Sequence, residues 1–409
     1  MYKRNITHKI ELALSDTPIV FIRGPRRCGK TTLAKTFCQD GTRSYYSLDT
    51  FLARSEAMDD PFAIINSFKT PMVIDEIQKA PDLIQAIKVD VDNDERPGQW
   101  LLTGSINPML LPRVADLTLG RAETLDLRPL SQSELLGQKA DFPTRLFGDT
   151  FTATAEPWSR ERLFEALCAG GFPAAIVRSP SRRGAWIDSY LTQTVERDLR
   201  DVFNVQDLRG LGALLKLLGA RTSTILNVAE ICRGAALNAN TLSRYMALLE
   251  MAFLVWTLPP WSDNLGKGLA RAPKIHLTDS AFACHLNRTN VKNLLKDLTL
   301  AGRLLESFVA SEIQRQASWS ETKVWLSHFR SHKGDEVDLV LTNEENQVAG
   351  VEVKLSFNIG QRDFKGLSHL RDALGDRFAR GVIFYGGHDL LCVGDRLYAT
   401  PIGELFSPA

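Results

Sequence analysis

The fold is decided by Ile19-Val20-Phe21-Ile22-Arg23-Gly24-Pro25-Arg26-Arg27-Cys28-Gly29-Lys30-Thr31-Thr32. An apolar run enters a Gly-x-x-x-x-Gly-Lys-Thr loop, and Leu33, Ala34 and Phe37 follow at helical spacing. Strand, glycine loop and helix in that order make a phosphate-binding loop. Gly24 and Gly29 permit backbone angles that other residues resist. Pro25, Arg26, Arg27 and Cys28 fill the loop between them, and Thr31 and Thr32 open the helix. The loop N–H groups then face phosphate oxygens at the positive end of that helix. Lys30 is expected to reach the β- and γ-phosphates, and the Thr31 hydroxyl to hold magnesium. The expected cofactors are therefore ATP and magnesium.

A second apolar run, Pro71-Met72-Val73-Ile74, ends in Asp75-Glu76. A buried parallel strand is apolar throughout, so two acids at its C-terminal end stand where ligands bind in open α/β sheets. Asp75 is expected to orient magnesium and its waters, and Glu76 to polarise the attacking water. A third strand, Trp100-Leu101-Leu102-Thr103-Gly104-Ser105, puts Thr103 or Ser105 beside the γ-phosphate if it neighbours the Asp75 strand. Arg121, in Leu119-Gly120-Arg121, is a candidate to stabilise charge on the transferring phosphoryl group, of its own nucleotide or a neighbour's; a surface salt bridge is the alternative.

Further along, residues 157–218 carry apolar residues at helical spacing and read as a helical lid. Leu226 to Cys232, a break at Gly234, and Asn238 to Leu249 read as a helix-turn-helix, with Asn238 capping the second helix. A strand at Phe253-Leu254-Val255-Trp256 makes it a winged helix. The start of the second helix is where DNA readers meet base edges, so Asn240, Thr241, Ser243 and Arg244 are the DNA-binding candidates. Non-specific phosphate contact and lid or protein contact are the competing uses. The basic stretch from Gly266 to Lys274 reads as a connector, and Ile275 to Ser280 as a strand with a polar end.

Three later pieces form one pattern. Arg303 to Val309 is a helix segment bearing Glu306, Asp335 to Leu341 a strand bearing Asp338, and Val351-Glu352-Val353-Lys354 a strand with Glu352 and Lys354 on one face. This order resembles the PD-(D/E)XK restriction-endonuclease-like fold. In that resemblance Glu306, Asp338 and Glu352 are magnesium ligands, and Lys354 orients the water or neutralises developing charge. His328 and His332 read as two surface histidines of a hairpin rather than a zinc pair.

The 409 residues exceed one core and imply two or three domains. The placement adopted is 1–150 for the ATPase, 151–264 for lid and winged helix, and 265–409 for the nuclease-like domain. A net charge of +1 neither demands nor excludes nucleic acid. Six scattered cysteines without a C-x-x-C pair suit a reducing, cytoplasmic setting rather than a disulfide or zinc framework. No apolar run reaches membrane-spanning length and the N-terminus lacks a signal-peptide core, so no membrane partner is expected.

The ordered set of phosphate loop, Met-Val-Ile-Asp-Glu-Ile-Gln-Lys-Ala-Pro, Leu-Leu-Thr-Gly-Ser, Gly-Arg and Leu-Arg-Pro-Leu-Ser resembles a prokaryotic family of AAA-type ATPases. That family joins the ATPase to a C-terminal domain of unknown function. The similarity continues through Gly170-Gly171-Phe172-Pro173 and Glu196-Arg197-Asp198. It implies an α/β multidomain chain: a parallel-sheet AAA fold, a helical and winged-helix middle, and an α/β nuclease-like end. It implies ATP hydrolysis and homo-oligomers, with a ring among the forms. The functional expectation is an ATP-driven DNA-processing motor or switch whose C-terminal domain grips DNA or cuts it as a metal-dependent nuclease. The alternative is a nucleotide-gated sensor whose C-terminal half binds protein partners without cutting.

Overall fold

Short apolar runs bounded by polar turns build the sheet of the first unit. The computed structural model describes residues 2–105, 120–153, 156–199, 208–262, 272–331 and 334–408. The chain divides into two compact units, Lys3–Pro129 with Met251–Phe253, and Leu130–Glu250 with Leu254–Ala409. No helix among the described residues is long and apolar enough to cross a membrane.

In the first unit, β1 (Ile19–Arg23), β2 (Ser44–Ser47), β3 (Met72–Asp75), β4 (Trp100–Gly104) and β5 (Ala122–Asp126) pair all in parallel, in the order β2-β3-β4-β1-β5. Parallel pairing sends every strand's C-terminal end to the same sheet edge. Gly24, Asp75 and Ser105 are therefore neighbours although they are far apart in sequence. One face of the sheet is closed by Ile19, Phe21, Met72, Ile74, Trp100 and Leu102 packed against Ile65, Leu83, Ile84 and Ile87. Helix Leu83–Asn93 supplies most of that cover by repeating apolar residues at three- and four-residue intervals. The buried Trp100 ring donates its Nε1–H to Asp90 at 3.1 Å, so its polar edge is satisfied.

The second unit begins with helices Arg160–Ala169, Pro173–Ile176, Pro180–Gln193 and Leu208–Ala220, the expected helical region. A π turn at Thr194–Asp198 continues the third of these; the side chains of Arg197 and Asp198 lie outside the described residues. The helix-turn-helix is present as Val228–Ala235 and Ala239–Met251, joined through Ala236 in the left-handed region (φ 53°). Asn238 accepts from the Thr241 N–H at 2.8 Å, as a cap should. Strands β6 (Thr224–Ile225), β7 (Val255–Leu258) and β8 (Lys274–Leu277) form an antiparallel sheet in the order β6-β8-β7. The wing strand starts at Val255 rather than Phe253, which takes a left-handed φ of 54°. Lys274–Leu277 thus completes the winged helix, and the boundary drawn at 264/265 falls between two strands of one sheet. The connector's residues 266–271 lie outside the described residues.

Beyond helix Leu298–Ala317, the chain lays down β9 (Val324–Arg330), β10 (Glu336–Asn343), β11 (Val348–Val353), β12 (Phe378–Tyr385), β13 (Leu391–Gly394) and β14 (Leu397–Pro401). Their order is β13-β14-β12-β11-β10-β9. The first three strands meander antiparallel, and a crossover through helix Lys365–Leu374 makes β12 parallel to β11. Val337, Val340, Leu367, Leu370, Phe378 and Ile383 form the core under that helix.

Helix Leu298–Ala317 ties the second unit together with buried polar groups. Glu312 accepts from the Gln132 N–H at 2.8 Å, Gln316 accepts from the Phe142 N–H at 2.7 Å, and Arg315 pairs with Asp279 at 3.1 Å. Asp279 in turn accepts from the Gly171 N–H at 2.8 Å. This explains the first glycine of the Gly-Gly pair. Gly170 takes φ 69°, and a Cβ there would lie 1.9 Å from Asp279 Oδ1. Gly170→Ala should therefore cost about 3 kcal/mol through backbone strain and displacement of a buried carboxylate. Urea unfolding of the unaltered chain and of Gly170→Ala measures it, and an unchanged midpoint would contradict this role for Gly170.

Candidate active sites

The phosphate loop leaves β1 at Gly24, where a Cβ would sit 2.0 Å from the Leu127 carbonyl oxygen, so only glycine fits. Arg27 and Gly29 take left-handed angles (φ 62° and 110°), which curl the loop over the start of helix Lys30–Thr36. Lys30 is buried and donates to the carbonyls of Gly24 and Pro25 at 2.8 and 2.9 Å. Its ammonium thus lies inside the loop, where phosphate oxygens would replace the carbonyls. Arg4 was missed by the sequence reading. Its guanidinium donates to the Cys28 carbonyl at 2.9 Å and to the Arg128 carbonyl at 2.6 Å, bracing the loop from behind. A lone arginine ahead of the first strand carries no motif, so only the folded chain brings it into view.

Asp75, fully buried, is the centre of the site. Thr31 Oγ1 donates to it at 2.8 Å, Tyr45 OH at 2.9 Å and Thr103 Oγ1 at 2.5 Å. Burial and the Asp75 charge raise the Tyr45 phenol well above its usual range, so it stays a donor. The next residue, Glu76, is in the left-handed region (φ 62°), its N–H bonded to Thr103 Oγ1 at 3.0 Å. This turn points its carboxylate back toward Ser105 and Gln78: Ser105 Oγ donates to Glu76 Oε2 at 3.1 Å, and Gln78 Nε2 reaches the same oxygen at 2.5 Å and Ser105 Oγ at 2.8 Å. Lys30, Thr31, Asp75, Glu76, Thr103 and Ser105 thus converge on one edge of the sheet. The residues fit ATP with magnesium: a glycine cradle, an ammonium inside it, and a hydroxyl already on the carboxylate.

Arg121 is elsewhere. Its carbonyl accepts from the Ile19 N–H, so it flanks the N-terminal ends of β1 and β5, and its guanidinium pairs with Asp92. The parallel register separates it from the loop by the full length of β1. A role on this chain's own nucleotide is therefore set aside.

In the C-terminal sheet, Asp338 and Glu352 stand opposite each other across β10 and β11, one step beyond the Leu339–Val351 pair. Glu306 approaches from helix Leu298–Ala317. Asp338 accepts from the Val353 N–H at 3.0 Å, and Lys354 reaches Glu352 at 3.4 Å. The expected group is assembled, but a fifth member stands in it. Lys274, at the start of β8 and 4% exposed, places its Nζ 2.6 Å from Glu306 Oε1 and 3.1 Å from Asp338 Oδ1. Among the described residues no three His, Cys, Asp or Glu side chains gather as a metal site. The acids do not fit the magnesium cage that the fold resemblance implied, because an ammonium lies between two of them. His328, expected at the surface, is buried, and burial lowers its imidazole to about 4; His332 lies outside the described residues.

At the helix-turn-helix, Asn240, Ser243 and Arg244 are exposed and Thr241 is half-buried. Arg244 rests its guanidinium 5.5 Å from the Tyr245 ring centroid.

The parallel sheet, the glycine loop and the acidic pair at its edge define an AAA-type P-loop ATPase. Residues 16–136 match the AAA domain family, residues 160–294 a domain of unknown function (DUF8612), and residues 301–405 a domain of unknown function (DUF4143). An uncharacterised protein of Mycobacterium tuberculosis is similar to this chain at 26% identity, covering 99% of this chain and 85% of the relative; one of Mycobacterium bovis matches equally. Among solved structures, the Walker-type ATPase of Pyrococcus abyssi is similar at 15% identity and a TM-score of 0.47, covering 70% of this chain and 96% of that one. The Thermotoga maritima RuvB Holliday junction branch migration motor is similar at 18% identity and a TM-score of 0.30, covering 62% and 89%.

Arg4→Met removes both carbonyl contacts while keeping an apolar stem. Nucleotide affinity should fall about tenfold, the equivalent of ~1.4 kcal/mol, with the fold intact by circular dichroism. Titration with a fluorescent ATP analogue reads it; an unchanged Kd would deny Arg4 its bracing role.

Proposed function

We propose that the protein is a magnesium-dependent ATPase that works as a nucleotide-driven switch on DNA. The observation that carries the ATPase half is the continuous hydrogen-bond chain from Thr31 through Asp75 and Thr103 to Glu76, Gln78 and Ser105. It links the loop that would hold the β- and γ-phosphates to the carboxylate that would accept the water's proton. Magnesium, when bound, neutralises phosphate charge. Thr31 and Asp75 are its proposed partners, and Lys30 trades the Gly24 and Pro25 carbonyls for phosphate oxygens. Glu76 takes the proton, held in orientation by Ser105 and Gln78. Ser105 and Thr103 are proposed to face the γ-phosphate, so a change there would be transmitted to β3 and β4 together.

The DNA half rests on the helix-turn-helix with the start of its second helix exposed. Asn240, Thr241, Ser243 and Arg244 are proposed to meet mainly the phosphate backbone. A homo-oligomer, a ring included, would give Arg121 a neighbour's nucleotide to act on. The second reading, a nucleotide-gated sensor with a protein partner, draws support from the single cation, Arg244, among these four candidates.

Lys30→Ala should abolish ATP turnover. Glu76→Gln should retain ATP binding and lower kcat by roughly 10²–10⁴-fold, the usual worth of a positioned base; a normal kcat in steady-state assays would remove Glu76 from that role. ATPase rates measured with single-stranded, duplex and branched DNA test the substrate. Stimulation by one form, weakening steeply with salt, supports the DNA switch. Salt-insensitive association, with no stimulation by any form, supports the protein-partner reading.

A further inference from the structure

Glu306, Asp338 and Glu352 sit on one helix and two strands in an arrangement where a hydrolytic metal would be expected. Each is at least half-covered, and Asp338 and Glu352 are buried. Buried carboxylates need compensating charge. Here the compensation is internal. Lys274 contacts Glu306 and Asp338, and Lys354 contacts Glu352 at 3.4 Å. The remaining Asp338 oxygen is taken by the Val353 N–H at 3.0 Å. Magnesium wants near-octahedral oxygen ligands and gives up its waters reluctantly. To bind here it would have to expel a buried ammonium from two carboxylates.

The charge states agree with this arrangement. Burial works to raise Asp338, but the Lys274 ammonium and hydrogen bonds hold it below the usual carboxylate range. Burial and the Asp338 charge push Glu306 up to about 7, against the pull of Lys274. Burial and Asp338 also push Glu352 up. Burial works to lower Lys274, yet Asp338 and Glu306 hold it above its ordinary value. Asp338 and Lys274 thus stabilise each other's charged forms.

Lys274 is not carried by the nuclease-like sheet. It is the first residue of β8, paired with Leu258 of β7 and Ile225 of β6. The winged helix therefore supplies the cation. We infer that Lys274 is the resident counter-ion of the Glu306–Asp338–Glu352 cluster, replacing a divalent metal, and that this site binds no metal and cuts no phosphodiester while β8 is docked.

Manganese binding, read by the loss of free Mn²⁺ signal in electron paramagnetic resonance, tests this on the full chain. Nucleotide-free protein, with Asp338→Asn as the paired control, keeps the ATPase site out of the count. With Lys274 present, no Mn²⁺ site sensitive to Asp338→Asn is expected. Lys274→Met should create one, and adding Asp338→Asn should weaken it at least about tenfold. Lys274→Arg keeps the positive charge and should not create the site. An Asp338-dependent Mn²⁺ site in protein that retains Lys274 overturns the inference whatever the Lys274 variants do. So does Mg²⁺-dependent DNA cutting by the unaltered chain that Asp338→Asn abolishes. Folded Lys274→Met protein that gains no Mn²⁺ site overturns it too. None of these readouts uses ATP turnover, so they stand or fall apart from the proposed ATPase cycle.

Discussion

A carboxylate with no exposed surface has to be satisfied where it lies, and Asp75 is such a group. Its three hydroxyl donors come from three different elements. Thr31 belongs to the helix after the phosphate loop, Tyr45 to β2 and Thr103 to β4, while Asp75 itself ends β3. Leaving a buried charge short of partners costs several kcal/mol. The strand order β2-β3-β4-β1 is thus enforced at the edge where the chemistry sits as well as by the apolar face beneath it. The left-handed turn at Glu76 depends on the same group, because the Thr103 hydroxyl that donates to Asp75 also receives the Glu76 N–H.

Much of this was legible in the chain because it is local. The glycine loop, the apolar run ending in Asp75-Glu76 and the Leu-Leu-Thr-Gly-Ser strand are contiguous signals, and parallel pairing needs only their order to bring them together. Tyr45 and Arg4 were not legible. Each acts on a residue more than twenty positions away, and neither sits in a pattern of its own. Arg121 shows a different limit: its motif left open its own nucleotide, a neighbour's or a surface salt bridge, and the parallel register, which carries it to the opposite edge of the sheet beside Asp92, removes only the first.

The second unit follows the same rule. Asp338 and Glu352 were readable from period-two alternation on adjacent strands, and the β10–β11 register brings them face to face. Lys274 was read as the tail of a basic connector. Antiparallel pairing with β6 and β7 makes it a strand residue, and its neighbours across space decide what it does. Histidine 328 fared likewise: its pattern resembled a surface hairpin, whereas β9 carries it inside, with its Nε2 3.3 Å from the Ala272 carbonyl.

The two carbonyls that hold Lys30 have a thermodynamic corollary. Because the ammonium is already hydrogen-bonded at 2.8 and 2.9 Å, ligand entry is an exchange and not an addition. The lysine's own bond count stays nearly level, so its gain lies in exchanging neutral carbonyl acceptors for charged phosphate oxygens, which hold an ammonium more strongly. Groups that gain partners on binding add to this, the part that backbone N–H groups play in phosphate loops. A loop of this kind would favour a polyphosphate, whose several charged oxygens engage ammonium and amides at once, over a single phosphate.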